Sequence, residues 1–240
     1  MNRFQGIRQE DMWLLAENRF QDSKAFYEDH KPQLRAGILQ PLQALFSDMA
    51  PEMLKIDPQI VADPMRNGSV SRIRRDNRYT RDKAMYRENM WISFLRDKKA
   101  WDNLPGFYLD ISLRGSSYGV GFYHPSPRLM QTLRRMIDET PDDFVQAMAR
   151  AEAAGFVCEG DRYARPKKDG LPPLLDALYN RRFIDITRNE PDPAFFSRTD
   201  LPDILLAGFR ELAPLYHLFA AAAEREMSTR GAEEFTPATK

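Results

Sequence analysis

Apolar side chains in the first fifty residues recur at three- and four-residue intervals, most clearly between residues 38 and 49. This spacing predicts a helix with one buried face. Pro41 lies within the stretch and predicts a kink or a break, because proline cannot donate the backbone hydrogen bond of a helix interior. Asp22 and Ser23 precede another helical pattern, and we expect them to cap it.

The central third of the chain changes to the two-residue periodicity of strands. Residues 106–113 alternate between apolar and more polar side chains, which predicts a strand with one face on a core. A second run, residues 118–123, follows after residues 114–117. We therefore predict an antiparallel hairpin with a loop of about four residues. Residues 90–95 predict a further strand.

Helical patterns return after Pro125 and continue to about residue 227, and Pro214 is expected to kink or split the last helix. Strands that neighbour in sequence, with helices before and after them, predict an α+β fold. Its mostly antiparallel sheet comes from the central third and is flanked by N-terminal and C-terminal helices. We expect a single globular domain over residues 1–227 and a loose C-terminal tail over residues 228–240.

Composition narrows the class of protein without identifying a function. The chain has 240 residues, of which 42% are hydrophobic, so it is large enough to bury a core and wholesale disorder is excluded. A formal net charge of +0 excludes the broadly basic surface of a general nucleic-acid coat protein. The single Cys158 excludes an internal disulfide framework and a multi-thiolate metal site. The histidines are widely scattered, so the sequence predicts no metal and no cofactor.

The sequence shows no apolar run that approaches the roughly 18 to 20 residues needed to span a bilayer. Acidic residues follow the N-terminus before a signal-peptide core could form. We therefore expect a cytoplasmic protein with no membrane partner. The oligomeric state stays open.

The densest chemistry lies in residues 72–83, where six basic and two acidic side chains occupy twelve positions. On a continuous strand, Arg72, Arg74, Asp76 and Arg78 share one face. Guanidinium groups bind phosphate or carboxylate through two parallel hydrogen bonds, and aspartates can hold them in position. This mixture is typical of an anion site. The residues alone also allow a surface ladder of ion pairs, each contributing about 0 to 1 kcal/mol.

The order of these residues resembles the signature of the domain of unknown function 2461 family, whose bacterial and fungal members have about this length. The matching positions are Arg72, Arg75, Asp76, Arg78, Tyr79, Asp82, Lys83 and Tyr86. We call residues 72–86 the arginine motif. Residues 106–111 are similar to the family's Gly-Phe-Tyr-Leu-His-Ile strand, with Asp110 in place of the usual His.

The resemblance covers most of residues 10–215 and implies a fold and a site, but no reaction. Tyr79 replaces the family's usual Phe, a small change that adds a hydroxyl group. Arg74 falls at a variable position of the signature, so it ranks below the other arginines. Because Asp110 replaces His, a role of that His does not transfer to this chain.

Three functions stay open for the arginine motif. The first is binding of a small anionic ligand, bearing phosphate or carboxylate, by Arg72, Arg75, Asp76, Arg78, Tyr79, Lys83 and Tyr86. If chemistry follows binding, Lys83 with Tyr86 or Asp82 is the expected proton-handling group, because a lysine near other cations can have a lowered pKa. Whether the protein is an enzyme stays open.

The second function is nucleic-acid binding by the same basic stretch, which the neutral total charge disfavours. The third is structural: the arginine motif forms a buried network of ion pairs that fixes the sheet, and function lies on a surface that binds a partner.

Overall fold

The computed structural model describes residues 3–78, 80–99, 103–122 and 124–234. The helices are α1 (Gln9–Gln21), α2 (Lys24–Leu34), α3 (Gln40–Ile56), α4 (Pro127–Glu139), α5 (Pro141–Ala153), α6 (Pro173–Tyr179) and α7 (Leu201–Glu234). The strands are β1 (Asn89–Phe94), β2 (Pro105–Ser112), β3 (Gly115–Phe122), β4 (Val157–Glu159) and β5 (Asp185–Glu190). A π-helical turn (Arg35–Leu39) joins α2 to α3, and a 3₁₀ helix (Pro193–Ser197) precedes α7.

The strands of the described residues form an antiparallel sheet in the order β1-β2-β3-β5-β4. Buried and half-buried positions alternate along β2, so one face of this strand meets the core, as predicted. β4 pairs with β5 in the register Val157↔Thr187, Cys158↔Ile186 and Glu159↔Asp185. Helices precede and follow the sheet, and the predicted α+β class is confirmed.

The chain divides into two compact units, and the first comprises Met1–Phe94, Tyr108–Tyr118 and Asn189–Ala207. The apolar face of α3 forms much of its core, and the helix predicted from residues 38–49 is thereby confirmed. Phe46 of α3 stacks on Phe94 of β1 with 4.2 Å between ring centroids. Ser23 caps α2 by accepting a hydrogen bond from the backbone N–H of Phe26.

The second unit comprises Leu95–Phe107, Gly119–Arg188 and Gly208–Lys240. Aromatic side chains of α7 pack on the sheet in its core. The Phe107 ring lies 5.0 Å from the Phe209 ring and 4.7 Å from the Tyr216 ring, and Phe122 lies 5.2 Å from Phe219. The expectation of a single domain over residues 1–227 stays a prediction.

The hairpin between β2 and β3 has a shorter loop than the sequence predicted. Leu113 and Arg114 alone connect the strands, whereas the predicted loop was residues 114–117. The Ser112 hydroxyl donates to the Gly115 carbonyl at 3.1 Å and accepts from the Arg114 N–H at 3.1 Å. Gly115 has a φ of 121°, which favours glycine. These local bonds close a tight turn, and the polar residues after it join the strand.

Two prolines act differently in the helices. Pro41 is the second residue of α3, just beyond the π-helical turn that separates α2 from α3, so the predicted interruption occurs next to it. Pro214 does not split α7. Leu212 and Leu215 on either side of it are completely buried, and this packing offsets the missing backbone hydrogen bond. The helix continues to Glu234, past the predicted start of a loose tail at residue 228, and residues 235–240 lie outside the described residues.

Within the described residues, α7 is long and apolar enough to cross a membrane by length and composition, over Leu201–Arg230 with a mean hydropathy of 1.2. Half of its apolar window is buried inside the protein. A core helix passes the same test, so this observation is weak evidence for a membrane span.

Candidate functional site

The arginine motif lies in the first unit, on a segment that runs antiparallel to residues 85–93. Isolated bridges pair Val70 with Ile92 and Arg74 with Tyr86. Backbone hydrogen bonds of 2.8 to 3.0 Å join the two segments: Ser71 to Trp91, Ser93 to Ser69, Arg75 to Met85 and Arg87 to Ile73. The motif therefore begins on a fixed, extended backbone.

The side chains of Arg72 and Arg74 are exposed to solvent on this extended backbone. Ser71, which precedes them, and Ile73, which lies between them, are buried. Neither guanidinium makes a hydrogen bond or an ion pair with any residue that the structure describes. The two groups are thus exposed cations on one side of the segment, at alternate positions of an extended chain.

Arg75 faces the opposite way and is engaged in an ion-pair cluster. Its Nη1 donates to Asp82 Oδ2, and Arg19 of α1 donates to the same oxygen at 2.8 Å. The other carboxylate oxygen of Asp82 accepts from the Ala84 N–H at 3.0 Å. The Ala84 hydrogen bond and the two guanidinium groups lower the pKa of Asp82.

Asp76 and Arg78 form a separate, exposed pair. Arg78 Nε donates to Asp76 Oδ1 at 2.9 Å, and its Nη2 donates to Oδ2 at 2.7 Å. These bonds, with one from the Arg78 backbone, lower the pKa of Asp76 to about 2. Asp76 and Arg78 were both predicted to bind the ligand. In the structure they bind each other instead.

Lys83 and Asn77 hold the loop that follows the extended segment. The Lys83 ammonium donates to the carbonyls of Asn77 at 3.2 Å and Arg78 at 3.4 Å. In return, the Asn77 side-chain amide donates to the Lys83 carbonyl at 2.6 Å. These bonds cross the loop and fix its two ends against each other.

Tyr86 closes the motif from inside the first unit, where it is 1% exposed. Its ring stacks on Tyr27 of α2 at 4.8 Å, and burial raises the pKa of its hydroxyl. The neighbouring Met85 N–H donates to Asp22 at the end of α1 at 2.7 Å. Tyr86 thus anchors the motif on the N-terminal helices.

The charged residues of the arginine motif consequently separate into three groups. Arg75 and Asp82 lie together, Asp76 and Arg78 lie together, and Arg72 lies apart from both pairs with Arg74 as its neighbour. Tyr79 lies outside the described residues. Lys83, Tyr86 and Asp82, the expected proton-handling group, each hold the loop or its base, and their role in chemistry stays a prediction.

Sequence reasoning missed a polar cluster beside the motif. On β2, Asp110 accepts from the Asn89 side-chain amide of β1 at 2.6 Å, and burial raises the pKa of Asp110 to about 6. The Arg87 guanidinium lies 4.1 Å above the Trp91 ring and donates through Nε to the Arg72 carbonyl at 3.0 Å. The predicted alternation of β2 was the available signal, because it assigned Asp110 to the polar face.

The described residues contain no group of three or more histidine, cysteine or carboxylate side chains suited to a metal ion. Cys158 donates to the Ala177 carbonyl at 3.2 Å, and burial raises the pKa of its thiol to about 11. A raised thiol pKa disfavours a nucleophilic thiolate.

A comparison with models of protein families shows which family this chain belongs to. The model described as "Conserved hypothetical protein (DUF2461)" matches residues 12–218. The chain belongs to this family. The match includes the whole arginine motif and β2, and it confirms the family resemblance read from the sequence. Neither the curated proteins nor the solved structures give a match to the chain.

Proposed function

We propose that this member of the DUF2461 family binds a small anionic ligand, bearing phosphate or carboxylate, through Arg72 and Arg74. One observation carries the proposal: both guanidinium groups are exposed and have no acidic partner among the described residues, whereas Arg75 and Arg78 are paired with aspartates. A guanidinium without an internal acid retains all of its N–H donors for an incoming anion.

The spacing of the two arginines suits one small anion. Residues two apart on an extended chain are separated by about 6.6 Å and project to the same side. Long arginine side chains can converge over that distance on a single phosphate or carboxylate group, each through a planar pair of donors.

The rest of the motif supports the proposal by holding this segment in place. Arg75 with Asp82, the Lys83 ammonium and the stacked Tyr86 all tie the loop to itself or to the N-terminal helices. We assign these residues, and the Asp76–Arg78 pair, a positioning role. Binding to a backbone that is already ordered avoids the entropic cost of ordering it.

Arg87 adds a third positive charge next to Arg72, and contacts on two sides hold this one in place. Its guanidinium is held between the Trp91 ring and the Arg72 carbonyl. A cation at that position raises the local positive potential, although the net charge of the chain is +0.

The test is isothermal titration calorimetry with inorganic phosphate and with citrate at low ionic strength. The wild type is compared with the double variant R72Q/R74Q and with R165Q, a matched control that removes an exposed arginine of the second unit. We expect at least one probe to bind, and R72Q/R74Q to weaken it tenfold or more while R165Q leaves it unchanged. Equal binding by the double variant, or no binding of either probe to the wild type, would contradict the proposal.

A single-stranded oligonucleotide distinguishes the nucleic-acid alternative, which the Arg87–Trp91 pair favours because aromatic rings can stack on bases. Binding that falls steeply with salt, with a slope near −0.7 for each phosphate contact, indicates a nucleic-acid surface. Such binding without any response to phosphate or citrate would replace the small ligand by a nucleic acid.

A further inference from the structure

A polar cavity of about 300 Å³ lies in the second unit between α4 and α7. Its lining consists of Arg128, Gln131, Thr132, Arg135, Glu226 and Thr229. All six side chains carry hydrogen-bonding groups, and three of them carry formal charges. The volume is at the lower end of the range for small-molecule sites. No residue of the arginine motif contributes to it.

Glu226 is the unusual member of this lining because it is a nearly buried carboxylate, 4% exposed. Its ion pair with Arg128 has an N–O distance of 3.6 Å, longer than a hydrogen bond. Glu226 accepts no hydrogen bond from the described residues. A nearly buried carboxylate without close donors has unused acceptor sites, and a ligand that supplies N–H groups can fill them.

The two arginines of the lining, Arg128 and Arg135, favour an anionic group in the same cavity. Arg135 Nη2 donates to the buried Thr132 hydroxyl at 2.9 Å, which orients the guanidinium and leaves further N–H donors. Arg128, the cation of the ion pair with Glu226, is half exposed. The lining therefore holds two cationic groups and one anionic group.

We propose that this cavity binds a small zwitterion with a carboxylate and a primary ammonium group, of the size of an α-amino acid. The ammonium supplies three donors to Glu226, and the carboxylate accepts from Arg135 and Arg128. A simple anion would leave Glu226 without donors and be repelled by it. A bare cation would be repelled by the two guanidinium groups. Both charges of a zwitterion are matched.

The experiment measures binding of each of the twenty standard α-amino acids to the full chain, by ligand-detected NMR and then by calorimetry. Acetate and methylamine, each carrying one of the two charged groups, are the matched probes. We expect at least one amino acid to bind, and to bind at least tenfold more tightly than acetate or methylamine.

Two variants locate the site. E226Q removes the charge that attracts the ammonium, and R135Q removes the oriented guanidinium. We expect each to weaken amino-acid binding tenfold or more. The matched controls E152Q and R165Q, at exposed positions of the same unit, are expected to leave it unchanged. E226Q keeps the size and shape of the side chain, so we expect it to remain folded in a thermal melt. R135Q provides the second test.

Three results would overturn the zwitterion site: no amino acid binds the wild type, both cavity variants bind as tightly as the wild type, or acetate binds as tightly as the best amino acid and is unaffected by E226Q. The double variant R72Q/R74Q separates this site from the proposed anion site, because amino-acid binding is expected to survive that change.

Discussion

Asp110 occupies an environment that changes its chemistry. It lies half buried on β2 and has one strong hydrogen-bond donor, the Asn89 amide. Burial raises its pKa from an ordinary value of 3.8 to about 6, while the Asn89 hydrogen bond and the Arg87 charge act in the opposite direction. A carboxyl group with a pKa near 6 changes from the protonated to the ionised form within the pH range in which most proteins are studied.

We predict a pH-dependent stability contribution from Asp110. The folded chain retains this proton up to about pH 6, whereas the unfolded chain loses it near pH 4. The contribution is therefore fully present below pH 4 and is lost as the pH rises to 6. The isosteric variant D110N has no titrating group at this position, so it lacks this dependence on pH. The free energy of unfolding of the wild type should therefore fall relative to that of D110N by about 1 to 3 kcal/mol between pH 4 and pH 6.

Urea unfolding of both proteins at half-unit pH intervals from 4 to 7 measures this difference. The Asp76–Arg78 pair, whose carboxyl group also has a shifted pKa, is unchanged in D110N and contributes equally to both curves. A difference between the two proteins that stays constant across the range would contradict the raised pKa of Asp110.

Asp82 illustrates a residue whose effect is local. It accepts from Arg75, Arg19 and the Ala84 N–H, yet half of its side chain is exposed. Exposed ion pairs contribute little to global stability. We predict that D82N leaves the thermal midpoint nearly unchanged but increases the rate of amide hydrogen exchange at Ala84 and Met85, because the loop loses its attachment to α1.

The pairs of Asp82 should persist in the wild type from neutral pH down to below the ordinary carboxyl range, since its pKa is lowered. Exchange measured by NMR at pH 5 and 7 should therefore show the same protection at Ala84 in the wild type. Unchanged exchange at Ala84 in D82N would contradict the positioning role of Asp82.

The π-helical turn between α2 and α3 is an element that depends on a close approach. Gly37 lies within it, and a Cβ atom there would be 2.2 Å from Asp11 Oδ1 and 2.3 Å from Asp11 Cγ. Asp11 is itself nearly buried and accepts two hydrogen bonds from Arg8, at 2.8 and 3.0 Å. The absence of a side chain at Gly37 allows α1 and the π-helical turn to pack.

We predict that G37A destabilises the chain by about 1 to 3 kcal/mol, the usual cost of forcing atoms into a packed site. D11A removes the atoms that an alanine at residue 37 would meet. The double variant D11A/G37A should therefore be more stable than the sum of the single changes implies, with a coupling of about 0.5 to 3 kcal/mol in a denaturant double-mutant cycle. Additive effects would show that the clash is absorbed elsewhere.

The elements with strong local patterns were predictable from the sequence. The helix around residues 38–49, the cap at Ser23 and the alternation of β2 follow from spacing and side-chain type alone. A split at Pro214 and a loop over residues 114–117 were predicted wrongly, for different reasons. Pro214 remains inside α7 because buried neighbours outweigh a local preference, and the hairpin loop is set by hydrogen bonds of Ser112.

The sequence points to the arginine motif as a candidate site, but it does not give the arrangement of the side chains. Periodicity assigned Arg72, Arg74, Asp76 and Arg78 to one side, but it could not show that Arg78 pairs with Asp76 or that Arg19 of α1 reaches Asp82. Such pairings depend on residues distant in sequence and on the course of the loop. Arg74, which ranked below the other arginines, remains exposed without an acidic partner among the described residues, as Arg72 and Arg81 do.

At the scale of the whole molecule, charge balance conceals local differences. Basic and acidic residues number 35 each, and exposed pairs such as Arg150–Glu211 and Arg225–Glu139 neutralise many of them. The ability of the surface to bind a charged ligand depends on the side chains that are not neutralised in such pairs. The central claim is that Arg75 and Arg78 of the arginine motif are held in pairs with aspartates, whereas the exposed Arg72 and Arg74 bind the anion.

The most direct measurement is NMR of the arginine Nε–Hε groups, assigned by single Arg→Lys variants, during titration with inorganic phosphate. The account predicts shifts that saturate at Arg72 and Arg74, with the resonances of Arg75 and Arg78 little changed because their aspartate pairs persist. Saturating shifts at Arg75 and Arg78 instead, or no shift at any motif arginine, would contradict it.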